Sequence, residues 1–438
     1  MSEDALSKQW REKGMQYVRA INEFVERGRK IGWDKNGKEP EDDRESMAND
    51  VLDAVRRANQ LSEIDDLRER FPPAYAPFID LLEENGQTIE PVAFLSDGRI
   101  ALRIGAPYED GRVVVINDIL IQDVPGIITF GRSPDRRYFA IAKTTGVEIL
   151  DGWQGPRVCD LGWPTGLEGA PDGYKMQRIE GVPAVTRLIP FPDGERVLLV
   201  SSSGIFVLTR SRAVRLDSNS ERLREHFDWL KQEYPDDPLE MHIDMDHGAV
   251  SPNGKLIAVG SQDSSHLIYN DQYELVGDIG NLSEYPHYAI FSSDGGLIAF
   301  NSCHLYDGET VGVPTSLLPG LKTEPYELDD RLVKLGPAAR VYAGVYRNDE
   351  FIIGDAYGYL RAFDRLGKFR WQHFIGSSVG DIDVSPDGKQ LVVTTYAGFL
   401  CILDMDTGEQ DPFAIGTATH RERRRWLFWK KEPKPLIW

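Results

Sequence analysis

The sequence predicts a mainly β fold in which seven like units close into a ring behind an α-helical N-terminal extension. Three observations lead there: a turn phrase that returns seven times, an apolar strand after each copy, and a first segment whose apolar residues follow a helical period instead. The copies are Ser96-Asp97-Gly98, Ser133-Pro134-Asp135-Arg136, Phe191-Pro192-Asp193-Gly194, Ser251-Pro252-Asn253-Gly254, Ser292-Ser293-Asp294-Gly295, Arg347-Asn348-Asp349-Glu350 and Ser385-Pro386-Asp387-Gly388. Proline presets φ at the second turn position, Asp or Asn tolerates unusual backbone, and glycine accepts positive φ. Each copy therefore reads as a hairpin.

The strand after each turn is almost continuously apolar, as in Ile100-Ala101-Leu102, Val197-Leu198-Leu199-Val200 and Leu391-Val392-Val393. Such runs suit strands covered on both faces. A third strand then ends in a polar stop, for example Leu150-Asp151, Tyr306-Asp307, Phe363-Asp364 and Leu403-Asp404. A weaker fourth strand follows. One four-stranded unit cannot cover both its faces, whereas seven stacked around an axis can, and closure removes exposed ends. The expectation is a seven-bladed β-propeller. Successive copies lie 38, 58, 60, 41, 55 and 38 residues apart. A blade needs about 40 residues, so the excess maps to inserts at 152–186, 217–241 and 312–338.

Three regions follow: a helical region, 1–86, the propeller, 87–416, and a basic aromatic tail, 417–438. In the first, Trp10, Gly14, Tyr17, Val18, Ile21, Phe24 and Val25 predict one amphipathic helix, broken over Gly32–Pro40. Met47, Val51, Ala54, Val55, Ala58 and Leu61 predict a second, and Tyr75, Phe78, Leu81 and Leu82 a short third. At the seam of the ring, Pro91-Val92-Ala93-Phe94 reads as the first innermost strand, and Pro412-Phe413-Ala414-Ile415 as the last outer one. No strand exchange between first and last blades is expected.

These phrases resemble the WD-repeat and YVTN-type propeller superfamily over about 330 residues. The Trp-Asp dipeptide is absent, which marks a divergent pattern. The resemblance implies the propeller fold and a protein-binding platform. The wider superfamily includes lactonases, dehydrogenases and peptidases, so the fold does not choose a chemistry.

Net charge is −20, with −7 in residues 1–90, −18 in 91–419 and +5 in 420–438. An acidic body repels phosphate backbones, so nucleic acid is not expected as a direct ligand and a basic protein partner is. The tail, Arg421 to Lys431, is expected to dock on its own acidic body or to mediate a homodimer. No apolar run of membrane-spanning length occurs, the first residues lack a signal-peptide pattern, and Cys159, Cys303 and Cys401 are few and scattered. These features predict a cytoplasmic protein without disulfides.

Catalytic signatures are sparse. There is no G-x-S-x-G and no phosphate-binding glycine loop, and adjacent Cys303 and His304 would point to opposite faces of a strand. No catalytic residue and no cofactor are expected. The leading expectation is a non-catalytic binding module, in its specific form an immunity protein sequestering a basic toxin or effector. Its candidate anchors are insert aromatics, Trp153, Trp163, Tyr174, Phe227 and Tyr234, the last two on a helix capped at Asn219 or Ser220 and stopped at Pro235. The alternative is a lactonase-like hydrolase with a divalent metal at the channel mouth. In an extended strand His242, Asp244 and Asp246 would share a face, with His287 joining from the next blade.

Overall fold

The computed structural model describes residues 2–336 and 339–438. Residues 337 and 338, at the end of the third predicted insert, lie outside the described residues. Seven sheets of four or five strands stand around one axis, antiparallel except for the fifth strand of blade four, Leu321–Lys322, which pairs parallel. Their innermost strands are Ile89–Phe94, Thr129–Arg132, Val185–Pro190, His247–Val250, Tyr285–Phe291, Val341–Arg347 and Val379–Val384, which define blades one to seven. The chain is a seven-bladed β-propeller preceded by helices.

The repeated phrase has a shared geometry. In four copies the leading serine hydroxyl bonds the Asp or Asn two residues on, and accepts the backbone N–H five residues on at 2.9 Å (Ser133 from Tyr138, Ser251 from Leu256, Ser292 from Leu297, Ser385 from Gln390). One side chain thus ties turn to strand. The last phrase position takes positive φ at Gly194, Gly254, Gly295 and Gly388, and also at Arg136. In blade six the turn is two residues, Asn348 and Asp349, both left-handed, between paired Arg347 and Glu350.

Between blades the second strands are buried on both sides, for instance all of Ile100–Ile104 and Val197–Ser201. Each neighbouring pair shares an apolar layer, and the layer between blades seven and one joins Leu400 and Val392 to Val92, Leu102 and Val114. The backbones approach closely: a Cβ on Gly131 in blade two would stand 1.5 Å from the Leu188 carbonyl oxygen in blade three. Only glycine fits there.

The seam uses no strand exchange, since Ile89–Phe94 belongs to the sheet of blade one alone. Asp381 accepts the N–H of Val92 at 2.9 Å, Asp383 accepts that of Phe94 at 2.6 Å, and the Thr394 hydroxyl donates to the Ile89 carbonyl at 2.6 Å. Arg132 and Arg136 of blade two close on Asp383 at 2.6 and 3.0 Å.

The outer strand of blade seven corrects the sequence reading. It is Arg421–Leu427, not the stretch near Pro412–Ile415, and Leu436–Ile437 adds a fifth strand. Residues 411–418 instead leave for blade six, where Phe374 N–H donates to the Ile415 carbonyl at 2.8 Å and Thr417 N–H to that of Gln372 at 2.9 Å. Charge hid this strand. Its charged residues are partly inward: Glu422 sits between Arg425 (2.7 Å) and Arg68 (3.2 Å), all mostly buried.

Arg68 comes from the helical region, which comprises α1 (Glu3–Ile31), α2 (Ala48–Leu61), α3 (Ile64–Arg70) and α4 (Ile79–Asn85). These pack on blades six and seven in one apolar cluster with Trp10, Phe78, Trp429 and Trp438 at its centre. Asn59 of α2 bonds both backbone groups of Ile437 at 2.8 Å, so the outer edge of blade seven is covered. No helix is long and apolar enough to cross a membrane among the described residues.

Candidate functional site

Innermost strands begin on one face of the disc, the upper face, and two of the inserts rise there. Glu90, Arg187, Asp246, His287, Tyr342 and Asp381 stand within two residues of these starts. Arg187 is the central cation. It donates to the Tyr342 carbonyl at 3.1 Å and lies 5.3 Å from the Tyr288 ring. Burial alone would lower its pKa, but Tyr288, Asp381 and Glu90 outweigh that and raise it. Burial, with Asp381 and Asp246 adding to it against Arg187 and Arg103, pushes the Glu90 carboxyl up to about 7.

His287 is locked. Its Nδ1 lies 2.6 Å from the Val341 carbonyl, which only accepts, so Nδ1 carries the proton. Nε2 then accepts from Arg340 at 2.9 Å. Burial first, and Arg340 second, bring its pKa down to about 3, so the ring is neutral. Both nitrogens are occupied, and His287 does not join His242 and Asp244. Those two meet each other at 3.4 Å in the open, with side chains about two-thirds exposed. The strand expected over 242–246 is a bend at Asp244 and Met245, where Met245 has φ +55°. Asp246 is more enclosed, and its Oδ2 is buried without a partner. Among the described residues no group of three or more His, Cys, Asp or Glu side chains is placed to share a metal ion. All three cysteines are free and buried, and His304 faces solvent beside Glu284, opposite Cys303.

The inserts form a lobe on this face. The helix predicted at Asn219 is α5 (Ser220–Glu233); the Asn219 side chain accepts from the N–H groups of Glu221 and Arg222 at 3.1 Å. Phe227 and Leu223 are buried against Met176, with Tyr174, Leu167, Leu230 and Leu239 around them. Backbone bridges hold the two inserts together: Met176 pairs with Leu239, and Gln177 N–H donates to Leu239 at 2.8 Å. Of the five predicted anchors, Phe227 thus belongs to the lobe's interior and half-buried Tyr174 packs at its edge, their rings 5.8 Å apart. Trp153 packs edge-on against Phe130 and Phe139, and Trp163 donates Nε1–H to the Lys143 carbonyl at 3.1 Å. Tyr234 alone is open to solvent, 52% exposed, and its ring lies 5.6 Å from that of Trp229, 50% exposed. Sequence reasoning passed over Trp229. Its spacing from Leu223, Phe227 and Leu230 placed it off the apolar face of the helix, and that was the signal available.

A cleft of about 950 Å³ separates the helical region from blades six and seven, lined by Tyr17, Tyr75, His373 and Arg425 among others. Its charged groups are mostly paired, as in Arg44 with Asp42 and Arg423 with Asp404.

No family model matches the chain, and no curated protein does. Solved structures resemble it at low identity. The computationally designed Ika8 protein aligns at 15% identity and TM-score 0.44, over 73% of this chain and 97% of that one. Hydrazine synthase of Kuenenia stuttgartiensis gives 13% and 0.42, over 66% and 79%. The Cps50 (Swd1) β-propeller domain of Myceliophteria thermophila gives 13% and 0.47, over 70% of this chain and 92% of that one.

Proposed function

We propose that the chain is a non-catalytic, protein-binding propeller, and specifically that it sequesters a basic protein, as an immunity protein holds a toxin or effector. The observation that carries this reading is the upper face: a rigid disc bearing a lobe whose solvent side combines exposed aromatic rings with carboxylates. Seven acidic residues stand against three basic ones over 221–240, within a chain of net charge −20. Rigid scaffolds that present aromatic anchors inside a charged rim are suited to protein recognition, and opposite charge speeds encounter. The scattered, free cysteines suit a reducing compartment such as the cytoplasm.

Purification of the tagged chain from its native cell at low and at high salt tests this. The expected result is a stoichiometric basic protein that dissociates as salt rises. Recovery of no partner, or of one indifferent to salt, would end the proposal.

A further inference from the structure

The lobe needs an explanation that the ring does not supply. Two inserts from neighbouring blades build a separate small core, of which Met176, Leu223 and Phe227 are the buried members. Ordering two long loops is costly in conformational entropy. The lobe is nonetheless pinned to blade three: Arg215 donates to the carbonyls of Gly166 and Glu168, both at 2.9 Å, and Ile243 N–H donates to that of Ser202 at 2.7 Å. What this arrangement holds in place is the outer side of α5.

On that side Glu225, Trp229 and Glu233 are four residues apart and so form one stripe along the helix. Tyr234, at the helix end, turns its ring against Trp229 at 70°. Glu225, Glu233, Asp236 and Asp237 are all exposed around the pair. Two of the three nearby cations face elsewhere: Arg222 pairs with buried Asp217, and Lys231 lies over the Tyr174 ring at 3.8 Å. The patch therefore offers two ring faces inside a negative field, which suits a guanidinium or ammonium stacking on the rings while carboxylates hold its N–H groups. A second copy of this chain carries the same −20 and is repelled; nucleic acid is repelled likewise.

We infer that the Trp229–Tyr234 face of α5 is the docking surface for an arginine-bearing basic segment of a partner protein. This rests on the protein-binding reading above and adds the place and the chemistry. Both rings are exposed, so their removal leaves the lobe's core intact.

The test uses the full chain and a fluorescein-labelled peptide of alternating arginine and glycine, with a glutamate–glycine peptide as control, read by anisotropy at low salt and at about 0.15 M salt. The wild-type chain is expected to bind the arginine peptide only. The W229A/Y234A variant is expected to bind it about tenfold more weakly at both salts. E225Q/E233Q is expected to weaken binding mainly at low salt. Circular dichroism checks that each variant is folded. Failure of the wild-type chain to bind the arginine peptide overturns this inference. A basic partner captured from the cell and held equally well by W229A/Y234A overturns it too, yet leaves the broader proposal standing.

Discussion

Asp383, on the last innermost strand, accepts the backbone N–H of Phe94, on the first, at 2.6 Å, and its other oxygen holds Arg132 of blade two. One buried carboxylate thus joins three blades at the point where the ring closes. Asp383→Ala removes the acceptor and leaves two arginines without their partner. It is expected to cost about 3 kcal/mol, read as a lower urea midpoint. An unchanged midpoint would mean that the apolar layers close the ring alone.

Glu422 makes a second prediction. Burial opposes its charge, but Arg425 and Arg68 overcome that and bring the carboxyl to about 2, against an ordinary 4.5. A group with a depressed pKa contributes stability above its unfolded value and loses it as pH falls toward the folded one. Glu422→Gln is expected to destabilise the chain at pH 7 by about 3 kcal/mol. The gap between variant and wild type should then narrow below pH 4.5. A gap of constant size down to the limit of folding would contradict the pairing.

Five enclosed histidines, His247, His266, His287, His373 and His420, set the acid limb, since burial lowers the pKa of each. Burial holds His247 and His373 at about 4 and His287 at about 3, below the ordinary 6.5. Between those values the unfolded chain binds protons that the folded chain refuses, so stability is full above pH 6.5 and falls as pH drops toward 4. Each group contributes a slope of up to ~1.4 kcal/mol per pH unit. His287→Gln should flatten the slope measured by denaturant midpoints from pH 7 to 4.5. A slope left unchanged by His287→Gln would refute the neutral, enclosed assignment.

Gly131→Ala tests the approach of blades two and three. Its Cβ would fall 1.5 Å from a backbone oxygen that cannot swing aside. A loss of about 3 kcal/mol is expected, against little effect for Gly162→Ser, where an added Cβ meets nothing within 4 Å and φ lies outside the left-handed region. Thermal unfolding of the two variants makes the comparison.

The ring was legible because each blade repeats its own local chemistry. Serine, proline, aspartate and glycine build the turn wherever they fall, and the apolar run after them needs cover on both faces whatever its neighbour. The helix at Asn219 was legible for the same reason: cap, apolar spacing and terminating proline are all local. Arg421–Leu427 was not. Its charges resemble a solvated tail until Arg68, more than 350 residues away in sequence, supplies the partner for Glu422. Nor was the role of the insert aromatics legible. Tyr174 and Phe227 have the composition of contact anchors, but only the packing of one insert on the other buries Phe227, half-covers Tyr174 and leaves Trp229 outside.

Local chemistry written in the chain determined the strands, the turns, the number of blades and the sign of the charge. Tertiary structure alone decided which charges are buried, which strand completes blade seven and which rings meet solvent. Those outcomes depend on contacts between residues far apart in sequence, where burial changes the energy of a charge or a ring, and no local pattern encodes what will come to lie beside it.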